Sequence, residues 1–219
     1  PPRTLHAAFV RSPYAHAKIK QFDTAAAAAM PGVRLILSGA DLAAKNVPHM
    51  ARAMNFKRPD GSDLQAPNRY ILAADRVRFV GEAVAAVVAD TWQQAQDAAE
   101  AVMVDYEPLA AVANLEQALA EGAPSVADGP DNVVAQTQYG DRAAADAAFQ
   151  GAACVTRVDI EHQRLNALTL EPRVVLAYPE QGRLFVRAST QMPTGLRTAI
   201  TTHTGLSDAD VRVIVGDVG

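Results

Sequence analysis

Apolar and polar positions divide the 219-residue chain into short segments whose period switches between two and about 3.6. Residues 5–11 and 17–22 alternate as strands, and Ser12, Pro13 and Tyr14 form a turn that joins them. Thr24 stands where it would cap a short alanine helix that stops near Pro31 and Gly32. Residues 33–37 make a further apolar strand, whereas 45–70 mix Asn, Pro, Gly and charge without a period, which predicts a long irregular surface excursion. The clearest pattern lies in 76–107. An apolar strand at 83–89 leads to Thr91, which forms a capping-box pattern with Gln94. Trp92, Ala95, Ala98, Ala99 and Val102 then recur at helical spacing, and a second strand at 102–106 completes the pattern of a β-α-β unit.

Periodicity lapses over 113–135, where a short helix at 115–120 is followed by Gly122, Pro124, Gly129 and Pro130, the composition of a linker. Beyond it, 141–149 is helical. Residues 153–162 alternate as a long half-buried strand in which Cys154 is a small buried residue. Further strands are expected at 174–177 and 184–190, a helix at 194–204 between Pro193 and Gly205, and a last apolar strand at 211–215. That strand runs into Gly216, Asp217, Val218 and Gly219 with nothing to pack after it, which predicts further chain downstream.

Composition narrows the class. With 49% apolar and 20% charged residues, the chain has enough apolar mass for a proper core in one or two domains. A formal charge of −4 without any Lys/Arg run argues against nucleic acid or an anionic membrane surface as partner. No apolar run approaches the roughly 18 residues of a membrane span. The single cysteine excludes an internal disulfide and any cysteine-ligated iron–sulfur cluster carried by this chain alone. The chain opens without a signal peptide, which points to the cytoplasm; an upstream signal since removed would place the protein in the periplasm.

Taken singly, few residues demand chemistry. The five histidines share no ligand spacing. Glu161, His162 and Glu171 come nearest to a metal set, but adjacent strand residues point to opposite faces, so no metal site is expected. Walker, Rossmann and Gly-x-Ser-x-Gly patterns are missing. Gly216 and Gly219 after a strand fit either a phosphate-cradling loop or a plain turn.

A longer constellation changes this picture. Residues Arg11-Ser12-Pro13-Tyr14-Ala15-His16-Ala17, Met30-Pro31-Gly32-Val33, Val77-Arg78-Phe79-Val80-Gly81-Glu82-Ala83-Val84-Ala85 and Val104-Asp105-Tyr106-Glu107-Pro108-Leu109 follow one another in the order that opens the large subunits of molybdenum hydroxylases. Leu170-Glu171-Pro172-Arg173, Ser189-Thr190-Gln191, Val211-Arg212-Val213 and Gly216-Asp217-Val218-Gly219 resemble the start of the cofactor-binding domain of the same family. The chain therefore resembles the xanthine dehydrogenase/aldehyde oxidase family over nearly its whole length. The resemblance implies an α+β a/b hammerhead domain at 1–112, a linker at 113–135, and at 136–219 the first segment of a mixed α/β molybdopterin-binding domain. It implies that Gln191 contacts the oxo group of the molybdenum centre, as both the catalytic and the cofactor-binding candidate, and that Gly219 opens a cofactor-binding loop. Glu171 and Arg173 are expected to pair.

The intact enzyme implied by the resemblance hydroxylates an aldehyde or N-heterocycle carbon with water as the oxygen source. Its cofactor is molybdopterin in the cytosine dinucleotide form, and its general-base glutamate lies outside this segment. Electrons leave to [2Fe-2S] centres and FAD on partner domains or subunits. The remainder of the molybdopterin-binding subunit and a small-molecule substrate complete the expected partners, and the segment alone is expected to be inactive. A second reading stays open: a non-catalytic scaffold or split subunit that pairs with a partner to complete the cofactor site.

Overall fold

The computed structural model describes residues 3–50, 56–58, 60–63, 68–126, 129, 131–163, 165–166 and 168–218. These form two compact units, Pro1–Gln136 and Thr137–Gly219.

The first unit contains two three-stranded sheets. In one, β5 (Ala83–Ala89) is central, flanked antiparallel by β1 (His6–Arg11) and β3 (Val33–Ser38), with Phe9 opposite Ala86 and Ile36 opposite Val87. A strand covered on both edges and buried along its length needs an almost continuous apolar run, and β5 reads AVAAVVA. Helix α3 (Trp92–Glu100) packs on β1 and β5. Its capping box is complete: Thr91 accepts from the Gln94 backbone N–H and Gln94 accepts from that of Thr91. Ala95, Ala98 and Ala99 are buried against Ala8, Val87 and Ala89, and these small side chains let the helix axis lie close to the sheet. In the second sheet β2 (Ala17–Asp23) is central between β4 (Arg76–Val77) and β6 (Met103–Pro108), over a core of Ala17, Ala73, Val77 and Val84. Val10 and Val104 pack against both cores.

The elements at 5–11, 17–22, 83–89 and 102–106 therefore form, but in other partnerships than the pattern suggested. β1 and β2 enter different sheets, so Ser12-Pro13-Tyr14 is a crossing and not a hairpin turn; it is held by Ser12 N to Glu82 O at 2.9 Å and Gly81 N to Ser12 O at 2.8 Å. Nor do β5, α3 and β6 make a parallel crossover. Both edges of β5 are taken by β1 and β3, and β6 finds its partner in β2. The short helix α1 (Ala25–Ala28) is capped by Asp23, whose Oδ1 accepts from Ala25 N at 3.0 Å, and not by the Thr24 hydroxyl. Helix α2 (Gly39–Ala44), capped by Ser38 and Asp41, was not indicated by periodicity. The tract at 113–135 carries helix α4 (Leu115–Leu119), and Asn132 Nδ2 donates to the carbonyls of Ala118 and Pro124.

In the second unit α5 (Arg142–Gly151) starts at Asp141, which accepts from Ala144 N at 3.0 Å. Residues 153–162 carry the alternation of a half-buried strand, yet no ladder pairs them among the described residues and every one is exposed, Cys154 included. Alternation alone does not make a strand; a neighbouring strand must supply the hydrogen bonds. A three-stranded sheet follows, ordered β7 (Val175–Glu180), β8 (Arg183–Ala188), β9 (Val211–Ile214). Gln181 and Gly182, both with positive φ (50° and 75°), turn β7 antiparallel onto β8. β9 returns parallel to β8 after helix α6 (Pro193–Thr204), which Gly205 ends at φ 74°. Here a β-α-β crossover does form: β8 has an edge open to β9, and 22 residues separate Ala188 from Val211.

Candidate functional site

The parallel pair fixes what lies at its carboxyl edge. Arg187 of β8 is in register with Ile214 of β9, so both strands end side by side. Ser189-Thr190-Gln191 leaves from one and Gly216-Asp217-Val218 from the other. Open parallel strands gather ligand sites at this edge because loops and helix starts converge there. Gly219 lies outside the described residues, so its expected part in the loop has no structural counterpart here.

Each link of the first loop has a visible cause. Ser189 Oγ donates to Glu171 Oε1 at 2.7 Å, a partner for Glu171 that the sequence did not indicate and that ties the 170–173 motif to the exit of β8. Thr190 Oγ1 accepts from Met192 N at 3.1 Å and folds the chain toward Pro193, the first residue of α6. Gln191 falls at the bend between these two ties. Its side chain is exposed, and among the described residues no hydrogen-bond partner holds its amide. The strand ends at Ala188 and not at the expected residue 190, so Gln191 belongs to the bend and not to the strand's alternation. Within the sheet, Tyr178 stacks on Phe185 at 5.7 Å and the Arg212 guanidinium lies over the same ring at 5.7 Å, as the register requires.

Other features of the unit do not compete with this edge. An open cavity of about 310 Å³ between α6 and β9 is lined by Arg183, Arg197 and Arg212, and neither Gln191 nor the 216–218 loop reaches it. Its guanidinium groups are engaged: Arg183 Nε donates to Ala209 O at 2.6 Å, Arg197 pairs with Asp208 at 3.4 Å, and Arg212 covers Phe185. Among the described residues no three His, Cys, Asp or Glu side chains converge as metal ligands. Nor is any described helix long and apolar enough to cross a membrane.

The cofactor that the sequence resemblance implies is a molybdopterin, so the test of fit is the donor set at this edge. A primary amide with a free N–H suits an oxo acceptor, and a glycine loop offers backbone N–H groups. The two fit one flank of such a cofactor.

Comparison with known proteins agrees in extent and order. Residues 1–110 match the family described as aldehyde oxidase and xanthine dehydrogenase, a/b hammerhead domain, and residues 126–219 match the molybdopterin cofactor-binding domain. Quinoline 2-oxidoreductase from Pseudomonas putida 86 is 35% identical and superposes with a TM-score of 0.86 over 100% of this chain and 27% of its own. The nicotine 6-hydroxylase large subunit of Paenarthrobacter nicotinovorans is 34% identical over 98% of this chain and 26% of its own length. For the nicotinate dehydrogenase large molybdopterin subunit of Eubacterium barkeri the identity is 31%, over 100% of this chain and 48% of that protein. The chain thus spans about a quarter of the first two relatives and about half of the third. With hammerhead and molybdopterin-binding segments in sequence and a matching fold throughout, the chain belongs to the xanthine dehydrogenase/aldehyde oxidase family of molybdenum-enzyme large subunits.

Proposed function

We propose that this chain is one portion of the molybdopterin-binding large subunit of a molybdenum-dependent hydroxylase, and that the carboxyl edge of β8 and β9 forms one wall of its cofactor site. The observation that carries this reading is the placement of Gln191: an exposed amide that has no partner among the described residues, in the loop that leaves β8 at the same edge where β9 runs into the Gly216 loop. When bound, the molybdenum cofactor, in its cytosine dinucleotide form, supplies the oxygen transfer from water and the two-electron acceptance that hydroxylation of an aldehyde or N-heterocycle carbon requires. Gln191 Nε2 would donate toward the cofactor and help to hold its orientation, and the backbone of 216–218, with Gly219 next in sequence, would supply the loop that holds its other side. Gln191 does not titrate and moves no proton; the general base comes from elsewhere in the subunit. Relatives named for quinoline, nicotine and nicotinate stand beside an aldehyde oxidoreductase and a carbon monoxide dehydrogenase, so the reading keeps both the N-heterocycle and the aldehyde carbon. [2Fe-2S] and FAD partners take the electrons.

One flank cannot retain the cofactor, because association must offset the lost freedom of the ligand and two contacts are too few. The chain alone is therefore inactive. Molybdenum analysis after production in a host that makes the cofactor tests this: the 219-residue chain should carry well under one metal per chain. A one-to-one content would show that these residues already make a complete site.

A second reading has its own support. Because this chain covers 48% of the Eubacterium barkeri subunit but only 26–27% of the other two, that subunit is about half their length, as a large chain divided between polypeptides would be. On that reading the protein is a split subunit that pairs with a separate partner. The intact mass of the natural protein separates the two.

A further inference from the structure

Three stretches of chain meet at the carboxyl edge of β8. Val175, the first residue of β7, stands opposite Ala188, the last of β8, so the run that enters β7 lies beside the run that leaves β8. On the other side β9 ends with Ile214 opposite Arg187. From the entering run Glu171 reaches the leaving one: its Oε1 accepts from Ser189 Oγ at 2.7 Å, across 18 residues of sequence. A hydroxyl–carboxylate bond of this length belongs to the strong, charge-assisted kind.

Both ends of that bond are prepared locally. Thr169 Oγ1 donates to the Glu171 carbonyl at 2.8 Å, and Pro172 confines Glu171 to extended backbone, so the side chain leaves from a fixed point. Ser189 is half-buried and is the first residue past the strand, where the ladder no longer holds the chain. The next bond, from Met192 N to Thr190 Oγ1 at 3.1 Å, closes the bend upon itself, and the chain then continues into α6. On its β8 side the bend is therefore tied to a second run of chain through Ser189 and Glu171, two residues before Gln191. We propose that Glu171 is a positioning residue: through Ser189 it fixes the bend that carries Gln191 and so sets where the Gln191 amide stands at this edge. In this role it acts through Ser189 and needs no contact of its own with the cofactor. Its consequence for turnover rests on the proposed reading of Gln191 as a donor to the cofactor; its consequence for the loop does not.

Backbone order parameters measured by NMR on the isolated 219-residue chain test the loop. The Thr190 and Gln191 amides should be ordered in the parent, at about 0.8 or above, and fall to about 0.6 or below in Glu171→Ala. Ser189→Ala removes the same bond from its other end and should have the same effect; as the milder change, it decides the matter if Glu171→Ala does not fold. Glu171→Gln keeps an oxygen for the Ser189 hydroxyl and should stay with the parent. Unchanged order in Ser189→Ala would overturn the proposal, because the bend would then be held without this bond. In the complete enzyme, turnover per bound molybdenum should fall several-fold in Glu171→Ala at unchanged KM and recover in Glu171→Gln. Added to Gln191→Ala, the same Glu171→Ala change should cost no more than about 1.5-fold further, since two residues that act through one contact do not add. A fully multiplicative loss would overturn positioning through Gln191. If Gln191→Ala keeps parental turnover while Ser189→Ala and Glu171→Ala still loosen the loop, the reading of Gln191 as a donor falls and the anchor stands.

Discussion

Arg58 and Asp131, 73 positions apart, are joined by a forked ion pair in which Arg58 Nη2 donates to both carboxylate oxygens at 2.9 Å. Arg58 is almost fully buried and also donates through Nη1 to the Val133 carbonyl. Gln136 N donates to Lys57 O at 3.1 Å. The end of the glycine- and proline-bearing tract at 113–135 is thereby fastened to residues 57–58 of the first unit. We expect Arg58→Ala to raise the rate of glutamyl-endopeptidase cleavage at the exposed Glu116 and Glu121 several-fold. The hydrogen bond from Arg58, and then that from the Val133 N–H, hold the Asp131 carboxyl below its ordinary range. A depressed folded value means that the contribution is present above the unfolded value of about 3.9 and is lost as the pH falls through the folded one. Amide exchange over 113–136, corrected for its intrinsic pH dependence, should therefore rise below about pH 4. Unchanged cleavage in Arg58→Ala would show that the tract is held by something else.

Glu82 works in the opposite sense. It is buried, and burial raises its carboxyl above the ordinary range, while the Arg78 backbone N–H, donating to Oε2 at 2.7 Å, opposes the rise. A raised folded value makes the group favourable to folding while protonated, and that advantage disappears as the pH rises through the folded value. Glu82→Gln keeps an oxygen for the Arg78 N–H and removes the charge. Melting curves should show the variant more stable than the parent at pH 7.5 and equal to it near pH 4. A lower melting temperature for the variant at pH 7.5 would mean that ionised Glu82 has a favourable partner.

What could be read in the sequence follows the range of the forces involved. Thr91 and Gln94 are neighbours within one helical turn, so the capping box and α3 were legible, and the apolar run of β5 marked a central strand. Which strands pair was not legible, because the partners of β5 come from residues 6–11 and 33–38 and are chosen by the available edges. Pro193 placed Gln191 at a strand-to-helix junction correctly, whereas the bend tied by Thr190 and the anchor from Ser189 to Glu171 depend on tertiary contacts. The alternation at 153–162 was legible, but the half-buried strand that it suggested is not formed, because among the described residues no neighbouring strand pairs with it.

Helix α2 escaped the sequence pattern because it is six residues long and starts on Gly39, a poor helix former. Its glycine has a local reason: a Cβ at Gly39 would overlap the carbonyl group of Ala73, which is backbone and cannot swing away. Propensity alone favours alanine there by about 1 kcal/mol. Overpacking costs about 1–3 kcal/mol, so the clash decides the sign. Gly39→Ala should lower the melting temperature by a few degrees, to a limit of about 8 °C. Gly151→Ala, where a Cβ meets nothing within 4 Å, should leave it unchanged or raise it. Equal melting of parent and Gly39→Ala would show that β4 and its approach shift freely.

Gln191 offers the sharpest test of the site. Its neighbours in the loop are committed, Ser189 to Glu171 at 2.7 Å and Thr190 to the Met192 N–H at 3.1 Å, so the bend holds its shape without any help from the Gln191 side chain. An exposed amide that holds nothing contributes little to folding, and surface substitutions of this kind usually stay within about 0.5 kcal/mol. Gln191→Ala should therefore melt with the parent in the isolated chain. On the proposed reading, the same change in the complete enzyme removes a donor to the metal's oxo group, and a loss of about tenfold or more in turnover is expected, with most of the cofactor retained. Gln191→Glu separates donation from bulk, because a carboxylate of nearly the same shape accepts and does not donate at neutral pH; it should be at least as impaired as the alanine variant. Turnover normalised to bound molybdenum is the deciding measurement. Values within about twofold of the parent for both variants would leave Gln191 as an ordinary loop residue and move the search for the oxo donor to the rest of the subunit.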